Sequence, residues 1–330
     1  MDRLGVVVIG RNEGERLRRC LASLAPSGAP VVYVDSGSSD GSQAWARERC
    51  AAVVELDPAV PFTAARARNA GFERLLALRP DLELVQFVDG DCEVAAGWLD
   101  RAVRELSARP GCVAVCGRRR ERFPGASVYN RLCDIEWSTP VGQARSCGGD
   151  ALLRADALRA AGGYNPAVIA GEDDELCVRL RSRGGTIWRI DAEMTLHDAA
   201  ITRFGQWWRR AVRAGHCYAE GYALHGRPPE RMWLRHNRST LLSALLVPGL
   251  ALLGAWPSRG WSLLLLAWYP AMLVRYGRAN LRRGLPPRDA WTYAAFCLLA
   301  AFPQLQGQVR YLRSRLGRRA SRIIEYKGAS

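Results

Sequence analysis

Lysine is almost missing from this chain: of 47 basic residues, Lys327 is the only one that is not arginine. So complete a skew looks like a coding bias of the whole genome, so a single arginine is not by itself evidence of bidentate recognition. Paired-cysteine signatures are absent too. The ten cysteines are scattered among apolar residues with no CxxC pair and no HxxxH tract, which argues against a zinc site of ordinary spacing and favours reduced core thiols. No secretory segment opens the sequence, because the apolar run at residues 6–9 is only four long before Arg11 and no cleavage site follows. The N-terminal domain is therefore expected in the cytoplasm. With 330 residues, 48% of them hydrophobic and 24% charged, disordered, collagen-like and disulfide-miniprotein classes fall away. The length suits one large domain with an appendage.

Acid is scarce in one part only. Residues 1–200 hold 26 basic and 28 acidic side chains, a balance of −2, whereas residues 201–330 hold 21 and 4, a balance of +17. The first part alternates short β-branched runs with stretches of helical period, the pattern of parallel βαβ units. Strands are expected at residues 6–9, 31–34, 53–56 and 84–88, with another near 113–116. Helices are expected at 12–24, 42–49 and 64–78, the second capped by Asp40.

The texture changes near residue 200. Gln206, Arg209, Arg210, Arg213, His216 and Glu220 share one helical face opposite Trp207, Val212 and Tyr218, which predicts an amphipathic interface helix over 201–238. Residues 239–258 are twenty without a charge, 260–274 fifteen more, and 290–309 a third such stretch. Twenty helical residues at about 1.5 Å each cover about 30 Å, the thickness of a hydrocarbon core. Arginines flank these segments on the sides that would all prefer the cytoplasmic face, and three crossings cannot satisfy that. Region 239–330 is thus expected to form a membrane hairpin, a re-entrant or interfacial third segment containing Pro303, and a basic tail, on the inner membrane with the catalytic domain in the cytoplasm. Nucleic-acid binding is not expected, since these arginines are interleaved with apolar stretches and no nucleic-acid motif is present.

Four clusters carry chemistry. Asp35-Ser36-Gly37-Ser38-Ser39-Asp40-Gly41-Ser42 follows a strand, and an acidic Gly/Ser turn beyond a parallel strand's carboxyl end can hold a ribose or base, although any strand-to-helix turn favours the same residues. Asp89-Gly90-Asp91 also follows an apolar strand. Two carboxylates so spaced can share one divalent cation, and such a cation stabilises a diphosphate leaving group. Glu172-Asp173-Asp174-Glu175 puts four acids at a helix start, a density that normally needs a cation, a helix N-terminus or a substrate. One of these carboxylates, aimed into a cleft, suits a general base for a sugar hydroxyl. His197 is a lone histidine at a loop, where a packed or surface residue is the commoner reading; a place in a metal shell begun by Asp91 is raised only by the resemblance that follows.

In order and kind, these clusters resemble those of family 2 inverting glycosyltransferases with the GT-A fold, over roughly residues 4–200. Residues 6–13, ending in Asn12-Glu13, look like that family's opening strand, and residues 34–42 look like its nucleotide-binding turn. Ala67-Arg68-Asn69-Ala70-Gly71 resembles the helix motif lining the nucleotide pocket, and Asp89-Gly90-Asp91 resembles the DxD. Cys147-Gly148-Gly149-Asp150 through Arg154, with Gly162-Gly163-Tyr164, is similar to the acceptor-side segment, and Glu172-Asp173 resembles the ED motif whose aspartate is the general base. The resemblance implies a Rossmann-like, mostly parallel sheet flanked by helices over residues 1–200. It also implies a donor site of Asn12, Glu13, Asp35, Ser36, Arg68, Asn69 and Asp89, and an acceptor side of Gly148, Gly149 and Asp150. Mg²⁺ or Mn²⁺ would lie on Asp89, Asp91 and His197. Catalysis would fall to Asp173, with Glu172 beside it and Asp174 as the fallback.

The implied activity is transfer of a sugar from a nucleotide-diphosphate sugar, UDP-linked by preference, to a glycan or lipid-linked acceptor in envelope or exopolysaccharide synthesis. A polyprenyl-phosphate glycosyltransferase and a non-catalytic membrane-tethered binding protein are the alternatives. Two departures stand out. Ser36 replaces an acid common in the family, and Gln206-Trp207-Trp208-Arg209-Arg210 resembles the QxxRW of processive synthases but ends in arginine, which favours single addition.

Overall fold

The computed structural model describes residues 3–317. The arginines expected in the tail at 318, 319 and 322, and Lys327, lie outside the described residues. Chain contacts divide the molecule into two units, Met1–Thr202 and Arg203–Ser330.

The first unit is built on a nine-stranded sheet: β1 (Leu4–Gly10), β2 (Val31–Asp35), β3 (Ala52–Glu55), β4 (Leu84–Asp89), β5 (Cys92–Val94), β6 (Cys112–Glu121), β7 (Gly142–Ala144), β8 (Ala151–Arg154) and β9 (Thr186–His197). The spatial order is β3-β2-β1-β4-β8-β6-β9-β5, with β7 on β9. Flanking it are α1 (Glu15–Leu24), α2 (Ser42–Arg47), α3 (Ala64–Leu78), α4 (Trp98–Ser107), α5 (Val128–Glu136), α6 (Ala155–Ala160) and α7 (Glu172–Ser182). β1 is central and Val6, Val7 and Val8 are wholly buried, as a continuous apolar run covered on both faces requires. Thr63 caps α3 by accepting the Arg66 N–H at 3.1 Å. Before α2 the N-cap is Gly41, and Asp40 instead accepts the Ser42 N–H at 3.0 Å.

The sheet is mixed, which corrects the mostly parallel expectation. Of the eight pairings, β1–β2, β1–β4, β2–β3 and β6–β9 are parallel and the other four, those of β8, β5 and β7, are antiparallel. Two of the antiparallel partners are three residues long, too short to leave a period in the sequence. The arrangement decides where chemistry can occur. Gly10 pairs with Asp35 and Ile9 with Asp89, so the carboxyl ends of β1, β2 and β4 lie level at one edge, the ligand edge of such sheets. All ten cysteines are free and seven are buried.

The second unit contains α8 (Phe204–His225), α9 (Leu234–Leu241), one stretch of π-helix (Leu242–Leu246), α10 (Val247–Leu253), a 3₁₀ segment (Trp261–Ala267), α11 (Trp268–Arg282) and α12 (Pro287–Leu316). Three expectations are corrected here. Residues 239–258 do not form one spanning helix, because the helical path ends at Leu253 and the chain turns at 254–260. No helix of the described residues is long and apolar enough to cross a membrane. The stretch 290–309 is not re-entrant: it is the middle of α12, continuous through Pro303, with Ala290, Ala294, Ala301 and Gly307 buried. On α8, His216 and Glu220 are buried rather than on an open polar face, and the Tyr311 ring packs edge-on to His216 at 5.3 Å.

α8 and α12 cross in backbone contact. A Cβ on Gly215 would overlap the Gln304 backbone, and one on Gly307 would overlap the Val212 carbonyl. Gly215→Val is therefore expected to destabilise the second unit by about 1–3 kcal/mol, read by chemical denaturation followed by helical circular dichroism. An unchanged midpoint would refute that close crossing.

Candidate active site

The site forms where the level strand ends meet the start of α7, and one side chain joins the parts. Arg68, on α3, is 2% exposed. Its Nη2 donates to Asp89 Oδ1 at 2.8 Å, and its Nη1 donates to Glu172 Oε1 at 2.6 Å and lies 3.2 Å from Asp173 Oδ1. Acids 83 and 84 positions apart in sequence thus share one guanidinium. The Tyr164 ring covers the cation at 5.5 Å and packs edge-on to Phe87. Asn69 fixes that wall by exchanging two hydrogen bonds with the Tyr164 backbone, 2.7 and 2.8 Å. Gly149 belongs here because a Cβ would occupy the space of the Arg68 guanidinium.

Electrostatics follow from burial. Arg68 is disfavoured as a cation by burial, but Asp173, Asp89 and Glu172 outweigh that and hold it charged. Burial raises the Asp173 carboxyl well above the ordinary carboxylate range; Arg68 pulls it back and Glu172 pushes it further up. Its Oδ1 makes no hydrogen bond within the protein. Burial lifts Asp174 to about 6, opposed by a hydrogen bond with Ser146. A carboxyl kept above its usual range is suited to take a proton near neutral pH.

Beneath the Asp89 loop lies a second buried ion pair. Asp150 is fully buried, accepts the Asp89 N–H at 3.0 Å and the Thr195 hydroxyl at 2.8 Å, and lies 2.9 Å from Arg119. Burial alone would raise its carboxyl, but Arg119 and these donors hold it below the usual range. Asp150, expected on the acceptor side, supports the Asp89 loop from below. Gly148 runs beside Arg119.

Asp91 and His197 meet because β5 pairs with β9, which sets Cys92 opposite His197. The His197 Nε2 lies 3.3 Å from Asp91 Oδ2, and its buried Nδ1 has no hydrogen-bond partner. Asp91, Cys92 and His197 bring their ligand atoms within 4.8 Å of one another, as do Asp89, Cys92 and Asp150. Burial and the neighbouring Asp150 carboxylate push the Cys92 thiol well up, so it is a neutral neighbour rather than a thiolate ligand. Carboxylate and imidazole donors fit Mg²⁺ or Mn²⁺.

On the side expected to hold the nucleotide, Asp35 is 1% exposed. It accepts the Gly37 and Ser38 N–H groups at 2.9 and 2.7 Å, the Gln43 amide at 3.0 Å and the Tyr33 hydroxyl at 2.9 Å. It thereby shapes the turn from beneath. Asn12 stitches the neighbouring loop to that turn, its N–H donating to Ser38 Oγ at 2.9 Å and its side-chain oxygen accepting the Ser39 N–H at 2.8 Å. Ser36 donates its N–H to Gly10 at 3.0 Å, and Glu13 pairs with Arg16 at 2.8 Å.

Sequence reasoning missed Arg119, Thr195 and Trp137; Tyr164, expected with Gly162-Gly163 on the acceptor side, is found over Arg68. The Trp137 ring stands edge-on to His197 at 4.7 Å and under Arg119 at 5.6 Å. The only signal for Arg119 was the Arg118-Arg119-Arg120 run, and a register shift between Arg118 and Arg119 breaks the alternation that would single one of them out.

Comparison with known proteins points to one family of enzymes. Residues 5–147 match the sequence model of the family described as Glycosyl transferase family 2. The chain is 24% identical over 227 residues to Glycosyltransferase AglE of Haloferax volcanii, spanning 64% of this chain and 71% of that protein. It is 26% identical over 251 residues to Succinoglycan biosynthesis protein ExoA of Rhizobium meliloti, 70% of each. Among solved structures, the mannosyltransferase PcManGT from Pyrobaculum calidifontis, in complex with GDP-Man and Mn²⁺, shares the fold with a TM-score of 0.55 at 22% identity. That match covers 94% of this chain and 87% of that one.

Removing the guanidinium strands three carboxylates, so Arg68→Met is expected to cost about 3–5 kcal/mol at pH 7.5. The deficit should shrink toward pH 5, because acids whose affinity for protons is already raised then neutralise themselves. Urea melts at both pH values check this, and an equal deficit at each would contradict the role given to Arg68.

Proposed function

We propose that this chain, a glycosyltransferase, moves a sugar from a nucleotide-diphosphate sugar to an acceptor hydroxyl with inversion, using Asp173 as the general base. The observation that carries the reading is the shared guanidinium, which holds the carboxylate of Asp89 and that of Asp173 in one site. The donor would lie over the turn built by Asn12, Asp35 and Ser36, with Glu13, Arg68 and Asn69 lining its pocket. Asp173 takes the proton from the acceptor O–H; the acceptor oxygen bonds to the anomeric carbon as the bond from that carbon to the diphosphate oxygen breaks. The nucleoside diphosphate leaves with the electron pair. Glu172 stays on Arg68 and keeps that cation from closing on Asp173 alone. Asp91 and His197, with Asp89, would hold Mg²⁺ or Mn²⁺, which when bound supplies the charge that stabilises the departing diphosphate.

The likeness to a succinoglycan biosynthesis protein supports a glycan or lipid-linked acceptor in exopolysaccharide or envelope synthesis. A UDP-sugar remains the proposed donor, although one structural relative holds GDP-Man. A non-catalytic protein of this fold is disfavoured by the carboxyl of Asp173, held above its usual range beside Asp89 on the shared Arg68.

Asp173→Asn is expected to lower kcat by about 10²–10⁴-fold, and Asp174→Asn by much less. Both would be read as nucleoside diphosphate release from a panel of nucleotide sugars. Since the base must be ionised, the rate should fall with acidification through an inflection above the ordinary carboxylate value of about 4, and Asp173→Asn should abolish that limb. Parental rates in both variants would remove Asp173 from the mechanism. In a separate assay, exhaustive chelation should stop turnover and Mn²⁺ or Mg²⁺ restore it; undiminished activity after chelation would rule the cation out.

A further inference from the structure

The second unit carries an apolar surface that glycosyl transfer does not use. α9, the π-helical stretch and α10 run out, the chain turns at 254–260, and the 3₁₀ segment and α11 run back. The two arms are antiparallel neighbours: the Tyr269 hydroxyl donates to the Ser243 carbonyl at 2.6 Å, and the Ser262 hydroxyl to the Ala251 carbonyl at 2.7 Å. Toward the turn, large apolar side chains face outward. Leu250, Leu252 and Leu253 are 59, 66 and 82% exposed, and Trp256 and Trp261, on either side of the turn, are 94 and 75% exposed. Leu242, Leu246, Leu250 and Leu253 recur at helical spacing, and Leu263, Leu264 and Leu265 on the returning arm are exposed as well. A contiguous patch of this kind marks an interaction site.

Charge identifies the partner. No acidic residue occurs between Glu230 and Asp289, whereas exposed Arg235 and Arg238 stand at the root of the outgoing arm and exposed Arg275, Arg278 and Arg282 at the root of the returning one. Leucines flanked by tryptophan and followed by arginine suit the headgroup boundary of an anionic bilayer, with acyl chains against the leucines. The two hydroxyls bonded across the arms leave fewer polar groups that need water. Arg259 lies in the turn and is exposed, and its side chain can reach headgroups only from a shallow position. We propose that this hairpin is a monotopic membrane anchor: it enters one leaflet of an anionic bilayer shallowly, leaves by the same face, and sets Trp256 and Trp261 at the headgroup level.

The test uses the full chain with vesicles of phosphatidylglycerol and phosphatidylcholine whose acyl chains are brominated near the headgroup. Bound protein should show quenched tryptophan emission and resist release by molar salt, and Trp256→Phe with Trp261→Phe should remove most of the quenching while binding persists. Leu250→Asp with Leu253→Asp, at positions already exposed, should leave the melting temperature unchanged and weaken vesicle binding at least about tenfold. Three results would overturn the proposal: binding unaltered by the aspartates, complete release by salt, or a lipid-free dimer in which the two tryptophans are already shielded. The last would make the hairpin a contact between copies of the chain.

Discussion

A single guanidinium among three carboxylates is the constraint on which the active region rests. Glu172 and Asp173 begin α7, and Asp89 ends β4; without a cation between them their mutual repulsion would force some of these acids to protonate or the elements apart. Arg68 fits the gap because its planar fork gives donors to two elements at once, which a lysine ammonium cannot do at the same span. The neighbouring residues read as consequences. Gly149 leaves the space, Tyr164 roofs the cation, and Asn69 ties Tyr164 to α3, so one interaction dictates the chemistry of four chain segments.

A similar logic operates one layer below. Asp150 is wholly buried and would be costly alone, but Arg119 and the Thr195 hydroxyl compensate it, and it returns a hydrogen bond to the Asp89 backbone. The acidic loop is thereby held from beneath by an anion and from the side by a cation. The β5–β9 pairing then delivers His197 to Asp91. Functional acids, histidine and support all come from strand and helix ends, where a rigid sheet fixes their spacing.

Much of the first unit was legible. The runs at 6–9, 31–34 and 84–88 are buried and could hardly be anything but central strands, and α3 runs over the residues that the helical period marked, 64–78. Asp89 and Glu172-Asp173 stood out since acids of that density directly after an apolar strand or at a helix start need a partner. The partner itself was harder to see. Arg68 entered only as a pocket residue, and Arg119 was lost among the arginines, because in a chain nearly without lysine an arginine carries little information. β5 and β7 are too short to show a period, so the mixed character of the sheet stayed hidden. In the second unit a hairpin of the first two charge-free segments was legible and the length of its arms was not: a count of twenty uncharged residues does not show that the outgoing helix ends at Leu253 and the chain turns at 254–260. His216 and Glu220 looked like surface residues since a helical wheel cannot show that α12 covers them.

The proposed mechanism stands on one carboxylate acting once, as a base, on the acceptor of a nucleotide sugar. Stereochemistry reports that directly. Proton NMR of the product formed from an α-linked nucleotide sugar that the enzyme turns over should show a β-configured anomeric centre from the first turnover. An α-configured product would require two displacements or a front-face reaction, and either would contradict the role assigned to Asp173.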